Sequence, residues 1–207
     1  LQKTGYLGWV QQGQYTLINQ VSPEGTTLVG LAGATAKTTD RTIRLLHGTQ
    51  LSLNQDVLHM GSEVYQVEGD LRKPSLVDFQ SQLPLLVAAY KDVPYLWGGR
   101  ALTGIDCSGL TQLLYGHFGY ALPRDAWQQA ELGSVVDFHA EIQIGDLAFF
   151  DNAEGRITHV GLMLDKDRII HASAQVRIDQ MDSNGIFNKE QNRYSHNLRI
   201  IKRFLSL

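Results

Sequence analysis

One cysteine in 207 residues, set in Asp106-Cys107-Ser108-Gly109 at the head of an apolar-periodic run, constrains this chain more than any other feature. A single thiol closes no internal disulfide and fills no multi-cysteine zinc site, so the chain must be held by its core and the thiol's role lies elsewhere. Asp106 is a good helix N-cap, because its carboxylate can accept the unpaired amide hydrogens of a first turn. Leu110, Leu113, Leu114 and Phe118 follow at helical spacing, so one face of that helix is buried, and Gly119 is a plausible stop. Ser108 and Gly109 keep the first turn slim enough for a second segment to approach the sulfur. A thiol acts as a nucleophile only as thiolate, and a helix N-terminus stabilises that charge; on this ground Cys107 is expected to titrate well below a free thiol. A lone cysteine also reads as a small buried hydrophobe. The helix-start position and the glycine-rich approach Trp97-Gly98-Gly99 favour the nucleophile.

A nucleophilic cysteine needs a base within hydrogen-bond reach and a third group to hold that base. His159 sits in the alternating run Thr158-His159-Val160-Gly161-Leu162-Met163-Leu164, where it shares a strand face with Gly161 and so has open space beside its ring. His171, in Ile169-Ile170-His171-Ala172, lies on a second short apolar run, and two antiparallel strands would bring the rings side by side. His47, His59, His117, His139 and His196 show no partner pattern and read as solvated or capping. Zinc on His159 and His171 is disfavoured, since there is no His-Glu-x-x-His and the cysteine is unaccompanied.

The segments YLWGG (95–99), DCSGL (106–110), LPRDAWQQ (122–129), IGDLAFF (144–150), THVGLML (158–164) and IIHAS (169–173) stand in an order and spacing that resembles the NlpC-type cell-wall cysteine peptidases. The resemblance covers about residues 80–207, and it implies a papain-like α+β domain with Cys107, His159 and His171 as the catalytic triad. It further implies a substrate-side role for Tyr95, Trp97, Asp106, Ser108, Arg124 and Asp125, with no cofactor and no metal. YLWGG together with LPRD looks most like the subgroup with bacterial SH3-like domains, which cleaves γ-D-glutamyl-diamino acid bonds in peptidoglycan stem peptides. In that subgroup an acidic group at the position of Asp125 would suit the amine of an N-terminal L-alanine. A serine often follows it in relatives, whereas here the residue is Ala126.

The rest of the chain sets this domain in context. Residues 1–76 are rich in Gly, Thr, Gln and Val, with short alternating pieces broken by turn signals such as His47-Gly48 and Glu68-Gly69-Asp70, which reads as small all-β structure. Resemblance to bacterial SH3-like domains makes 1–20 the end of a first module, 21–76 a second module, and 77–207 the peptidase domain. Within the last, helices are expected over 81–91 with Ser81 as N-cap, from Cys107 onward, and from Pro123-Arg124-Asp125 to Leu132. Strands are expected at 147–150, 158–164, 168–173 and 199–204, giving an α+β class, and Asp182–Asn197 reads as a polar surface loop. A net charge of −3 gives no electrostatic case for nucleic acid, and no apolar run approaches the length of a bilayer span. The resemblance implies a bacterial protein of the cell envelope or exterior, with a cytoplasmic place left open. Two rival classes remain: a cell-wall-binding module with a degenerate peptidase domain, and a thiol acyltransferase on the same fold.

Overall fold

The computed structural model describes residues 9, 11–12 and 26–205, and the chain divides into two compact units, Leu1–Ser75 and Leu76–Leu207. Apart from Trp9, Gln11 and Gln12, the expected tail of a first module over 1–20 lies outside the described residues.

The described part of the first unit is all-β. Strands β1 (Thr27–Lys37), β2 (Thr42–Leu45), β3 (Gln50–Leu51), β4 (Val57–Met60) and β5 (Glu63–Arg72) form one antiparallel sheet in the order β2-β1-β5-β4, with β3 paired to β1. Period-two alternation puts Val29, Ala34, Ala36, Leu51, Tyr65 and Val67 into a common core.

The second unit begins with α1 (Phe79–Tyr90), which buries Phe79, Leu83, Leu86 and Tyr90. A 3-10 turn at Leu76–Asp78 leads into it, so the helix starts two residues before the expected 81 and its N-cap is Asp78, not Ser81. Pro84 therefore lies beyond the first turn. A two-stranded ribbon, β6 (Arg100–Ala101) and β7 (Gly104–Ile105), delivers the chain into α2 (Cys107–His117), and α3 (Ala126–Ala130) follows, ending two residues before the expected Leu132.

The remaining strands are β8 (Ser134–Val135), β9 (Leu147–Asp151), β10 (Ile157–Met163), β11 (Arg168–Ser173), β12 (Gln175–Asp182), β13 (Gly185–Asn188) and β14 (Arg193–Arg203). They pair antiparallel in the order β13-β12-β11-β10-β9-β14-β8, and β13 also pairs with β14, so six strands close on themselves and β8 hangs from the edge. The expected surface loop at 182–197 is thus wrong: its polar residues form β13 and the first half of β14. Gly185, Ile186 and Asn188 are buried while residues 193–195 are exposed, so the polar composition that reads as loop is carried by a paired ribbon with a buried end. Ala148, Phe150, Met163, Ile169, Met181, Ile186 and Ile201 share one core. By period-two alternation His159 and His171 fall on that face of β10 and β11, while α2 packs on both strands. Among the described residues no helix is long and apolar enough to cross a membrane.

Candidate active site

Cys107 is the first residue of α2 and only 6% exposed. Asp106 caps the helix as expected, accepting the Gly109 amide at 2.7 Å, and its other oxygen accepts the Gly98 amide at 2.8 Å. One carboxylate therefore ties the Trp97-Gly98-Gly99 loop to the helix start. The loop crosses so closely that a Cβ on Gly109 would collide with the Gly99 carbonyl oxygen, which is why this position needs glycine. Arg124 closes the arrangement: its guanidinium forms a two-point pair with Asp106 and donates to Ser108 Oγ at 2.9 Å. A bidentate pair of this kind is strong and directional, and it leaves Asp106 and Ser108 engaged with Arg124.

Tyr95 is fixed from both sides, its amide donating to Ala174 O at 2.9 Å and its backbone bridging to Ile105. Burial, with Cys107 and Asp106 nearby, pushes its hydroxyl up to about 12, so it stays a neutral donor. Trp97 stands 84% exposed on the loop. Asp125 caps α3 in a capping box with Gln128 and accepts the Trp127 indole N–H at 3.2 Å. Of the nine residues singled out in the sequence, Asp106, Ser108 and Arg124 are joined by direct bonds, and His159 and His171 form a second group.

In that second group, His159 Nε2 and His171 Nδ1 are 2.9 Å apart, and both rings are buried. His171 stands opposite Gly161 in the β10–β11 register, where a side chain on Gly161 would meet the His171 Cβ at 2.9 Å. The glycine is therefore what lets His171 and Ile169 pack closely across β10. The two groups meet at β10, on which α2 packs: the backbone amide of Val160, the residue after His159, acts on the Cys107 thiol and favours its thiolate.

Three residues belong to the site that the sequence reading missed. His171 Nε2 lies 3.1 Å from Asp179 Oδ2, and Arg177 clasps Asp179 with two further bonds, Nε to Oδ2 at 2.6 Å and Nη2 to Oδ1 at 3.1 Å. His196, read as solvated or capping, stacks on His159 with centroids 4.1 Å apart and planes 22° from parallel. His196 is half-buried, and His47 and His117 are buried, not solvated.

Electrostatics correct one more expectation. Burial pushes the Cys107 thiol up, and the Asp106 carboxylate adds to this; the amides of Val160, Ser108 and Cys107 oppose without winning. His159 is held well below the ordinary histidine value by burial and by His171 and His196. Burial also lowers His171 despite Asp179, and brings His196 to about 4. The helix start is thus not enough to make a resting thiolate, and the pair rests as thiol and neutral imidazole.

The ring nitrogens of His159, His171 and His196 lie within 4.8 Å of one another, which raises the question of a metal. The donors do not fit one. His159 Nε2 and His171 Nδ1 are spent on each other, and the near-parallel rings of His159 and His196 send their lone pairs side by side instead of toward one point.

The model of the NlpC/P60 family matches residues 92–195. A gamma-D-glutamyl-L-lysine dipeptidyl-peptidase of Bacillus subtilis (strain 168) is 40% identical over 87 residues, 41% of this chain and 29% of that protein. Murein DD-endopeptidase MepS/Murein LD-carboxypeptidase of Escherichia coli (strain K12) is 33% identical over 129 residues, 61% of this chain and 66% of that protein. The chain thus spans less than two thirds of either relative's length. A crystal structure of an NlpC/P60 family protein from Bacillus cereus superposes with a TM-score of 0.66 at 23% identity, covering 87% of this chain and 63% of that one, a likeness of fold.

Proposed function

The chain belongs to the NlpC/P60 family, and on that premise we propose that it is a cysteine peptidase hydrolysing the γ-D-glutamyl-diamino acid bond of peptidoglycan stem peptides. The observation that carries the reading is the packing of α2, which begins at Cys107, on β10, where the Val160 amide favours the thiolate and the neighbouring His159 is hydrogen-bonded to His171. His159 takes the thiol proton as the sulfur attacks the carbonyl carbon. The tetrahedral oxyanion is stabilised by amides at the start of α2, with the neutral Tyr95 hydroxyl at hand. The imidazolium then returns the proton to the leaving amine, and water releases the acyl group by the same route in reverse. A rested thiol requires no preformed ion pair for this, because the proton moves with bond formation.

The bond is taken from the Bacillus subtilis relative, whose name specifies γ-D-glutamyl-L-lysine. On the amine side, Asp125 at the start of α3 would receive an N-terminal L-alanine ammonium, while Asp106 is engaged by Arg124. Residues 21–76 would then be a bacterial SH3-like module and 77–207 the peptidase domain, in keeping with the small antiparallel sheet of the first unit. The test is digestion of purified stem peptides followed by mass spectrometry. Release of a product beginning with the diamino acid, lost in Cys107→Ala, is the expected result; cleavage at another bond, or activity persisting in the variant, contradicts it. For the amine, L-Ala-γ-D-Glu-diaminopimelate should be preferred over its N-acetylated form, and Asp125→Asn, which still caps α3, should remove the preference. Equal rates on both substrates in the unaltered protein would discard the L-alanine contact.

A further inference from the structure

We infer that Asp179 is a positioning residue for the base: acting through His171, it fixes which nitrogen of His159 carries the proton. The inference rests on the proposed role of His159, but it is built from hydrogen bonds alone. Asp179 is an ionised carboxylate and can only accept, so at 3.1 Å it requires the proton of His171 on Nε2. A neutral His171 with its proton on Nε2 has a bare Nδ1, which must accept. The group facing it, 2.9 Å away, is His159 Nε2, which must therefore donate. The one nitrogen of His159 left with a lone pair is Nδ1. The polarity of the whole relay is thus set at its far end.

The neighbours agree with this assignment. Burial opposes the charge on Asp179, yet the bonds from His171 and Arg177 hold its carboxyl below the usual range. Arg177, which also approaches Glu190 at 3.5 Å, anchors both carboxylate oxygens from the same strand. On the other side His196 presents its ring face to His159 and engages the Ser195 hydroxyl through its own Nδ1 at 2.9 Å, so it does not compete for the relay. When His159 takes the thiol proton on Nδ1, its Nε2–H stays on the His171 lone pair and the new positive charge faces a chain ending in a carboxylate. No proton need leave Asp179 or His171 at any step. Without Asp179 the charged group acting on His171 from across the β11–β12 register would be the Arg177 guanidinium, a donor. It would favour the opposite tautomer of His171 and, through it, a proton on His159 Nδ1, where the base is needed bare.

The experiment is a long-range proton–nitrogen correlation spectrum of the histidine rings in the full ¹⁵N-labelled chain at neutral pH, which reads each tautomer without substrate. His159 and His171 should both carry their protons on Nε2. Asp179→Ala should move the His159 proton to Nδ1 and lower kcat roughly 10- to 100-fold with KM little changed, the scale seen when a group orienting a metal-bound histidine is lost. Arg177→Ala loses the same ion pair but keeps the acceptor, so both tautomers should persist. A His159 proton on Nδ1 in the unaltered protein overturns the inference, whether or not Asp179→Ala folds. So does an unchanged tautomer in Asp179→Ala, or a kcat loss in Arg177→Ala equal to it. An unaltered protein that fails to cleave stem peptides but shows the Nε2 pattern would count against the peptidase reading and support this one.

Discussion

Two Asp–Arg pairs flank the site, Asp106–Arg124 beside the cysteine and Asp179–Arg177 beside the histidines, and the same chemistry does different things in each. Asp106 also collects the amides of Gly98 and Gly109, so it joins a loop to a helix start, and its charge pushes the neighbouring thiol up. Asp179 has a ring nitrogen as its third partner, so its charge supports the protonated edge of His171 and orders a relay. An ion pair near a reacting group has no fixed sign of effect. What decides is whether the neighbour becomes negative or positive when it works.

The comparison can be broken most forcefully through stability. Arg124 and Asp106 side chains are 15% and 7% exposed, and removing one partner of a buried pair typically costs about 3–5 kcal/mol. Arg124→Ala should cost that much in urea unfolding, and Asp106→Ala about 1 kcal/mol more through the lost cap. Arg177, 21% exposed and already near Glu190 at the rim, should cost under about 2 kcal/mol, between the surface and buried cases. Equal losses at Arg124 and Arg177 would erase the distinction.

A smaller effect concerns pH. His47, His159, His171 and His196 all have folded values below the ordinary one, to about 4 for His47 and His196. The unfolded chain therefore binds protons first as pH falls through about 6.5, and stability present above that value is lost toward about 4. The urea midpoint should drop between about pH 7 and about pH 5, and by less in His196→Phe, which removes one of these groups. A midpoint that rises on acidification would reverse the sign assigned to all four. The smallest expectation is for the stack itself. An aromatic pair contributes about 0.5–1.5 kcal/mol, so His196→Phe should keep kcat within about threefold while His196→Ala loses more; the reverse order would mean that His196 acts through its nitrogen.

How much of this was legible in the sequence follows the same division. The cysteine side is local: Asp106, Cys107 and Gly109 lie in one short run, and capping and helical period suffice to place them. Arg124 and Asp125 came from motif resemblance; the bonds of Asp125 are local to α3, whereas those of Arg124 became visible only when its loop was set beside the start of α2. On the histidine side the period-two pattern put His159 and His171 on one face, but Asp179 depends on the register of β12 against β11, where His171 faces Arg177. The alternation Arg177-Ile178-Asp179 just after His171 was the available signal. His196 had none, because the polar stretch holding it read as loop, and β14 reaches the site only through pairing with β13 and β9. The low thiol value expected from the helix start failed for a related reason. Helix amides are visible in sequence, whereas the burial that outweighs them is a product of the whole fold.

Everything proposed for the reaction depends on Cys107 resting as a thiol and being activated by His159 only as bonds form. The rate of iodoacetamide alkylation of Cys107 against pH measures this without any assumption about substrate. In the unaltered protein the rate should climb through the range above about pH 8.5, the ordinary thiol value, and Asp106→Asn should move the curve downward. A rate already level in mildly acid solution would reveal a standing thiolate–imidazolium pair and contradict the resting thiol, as would a curve that Asp106→Asn leaves unmoved.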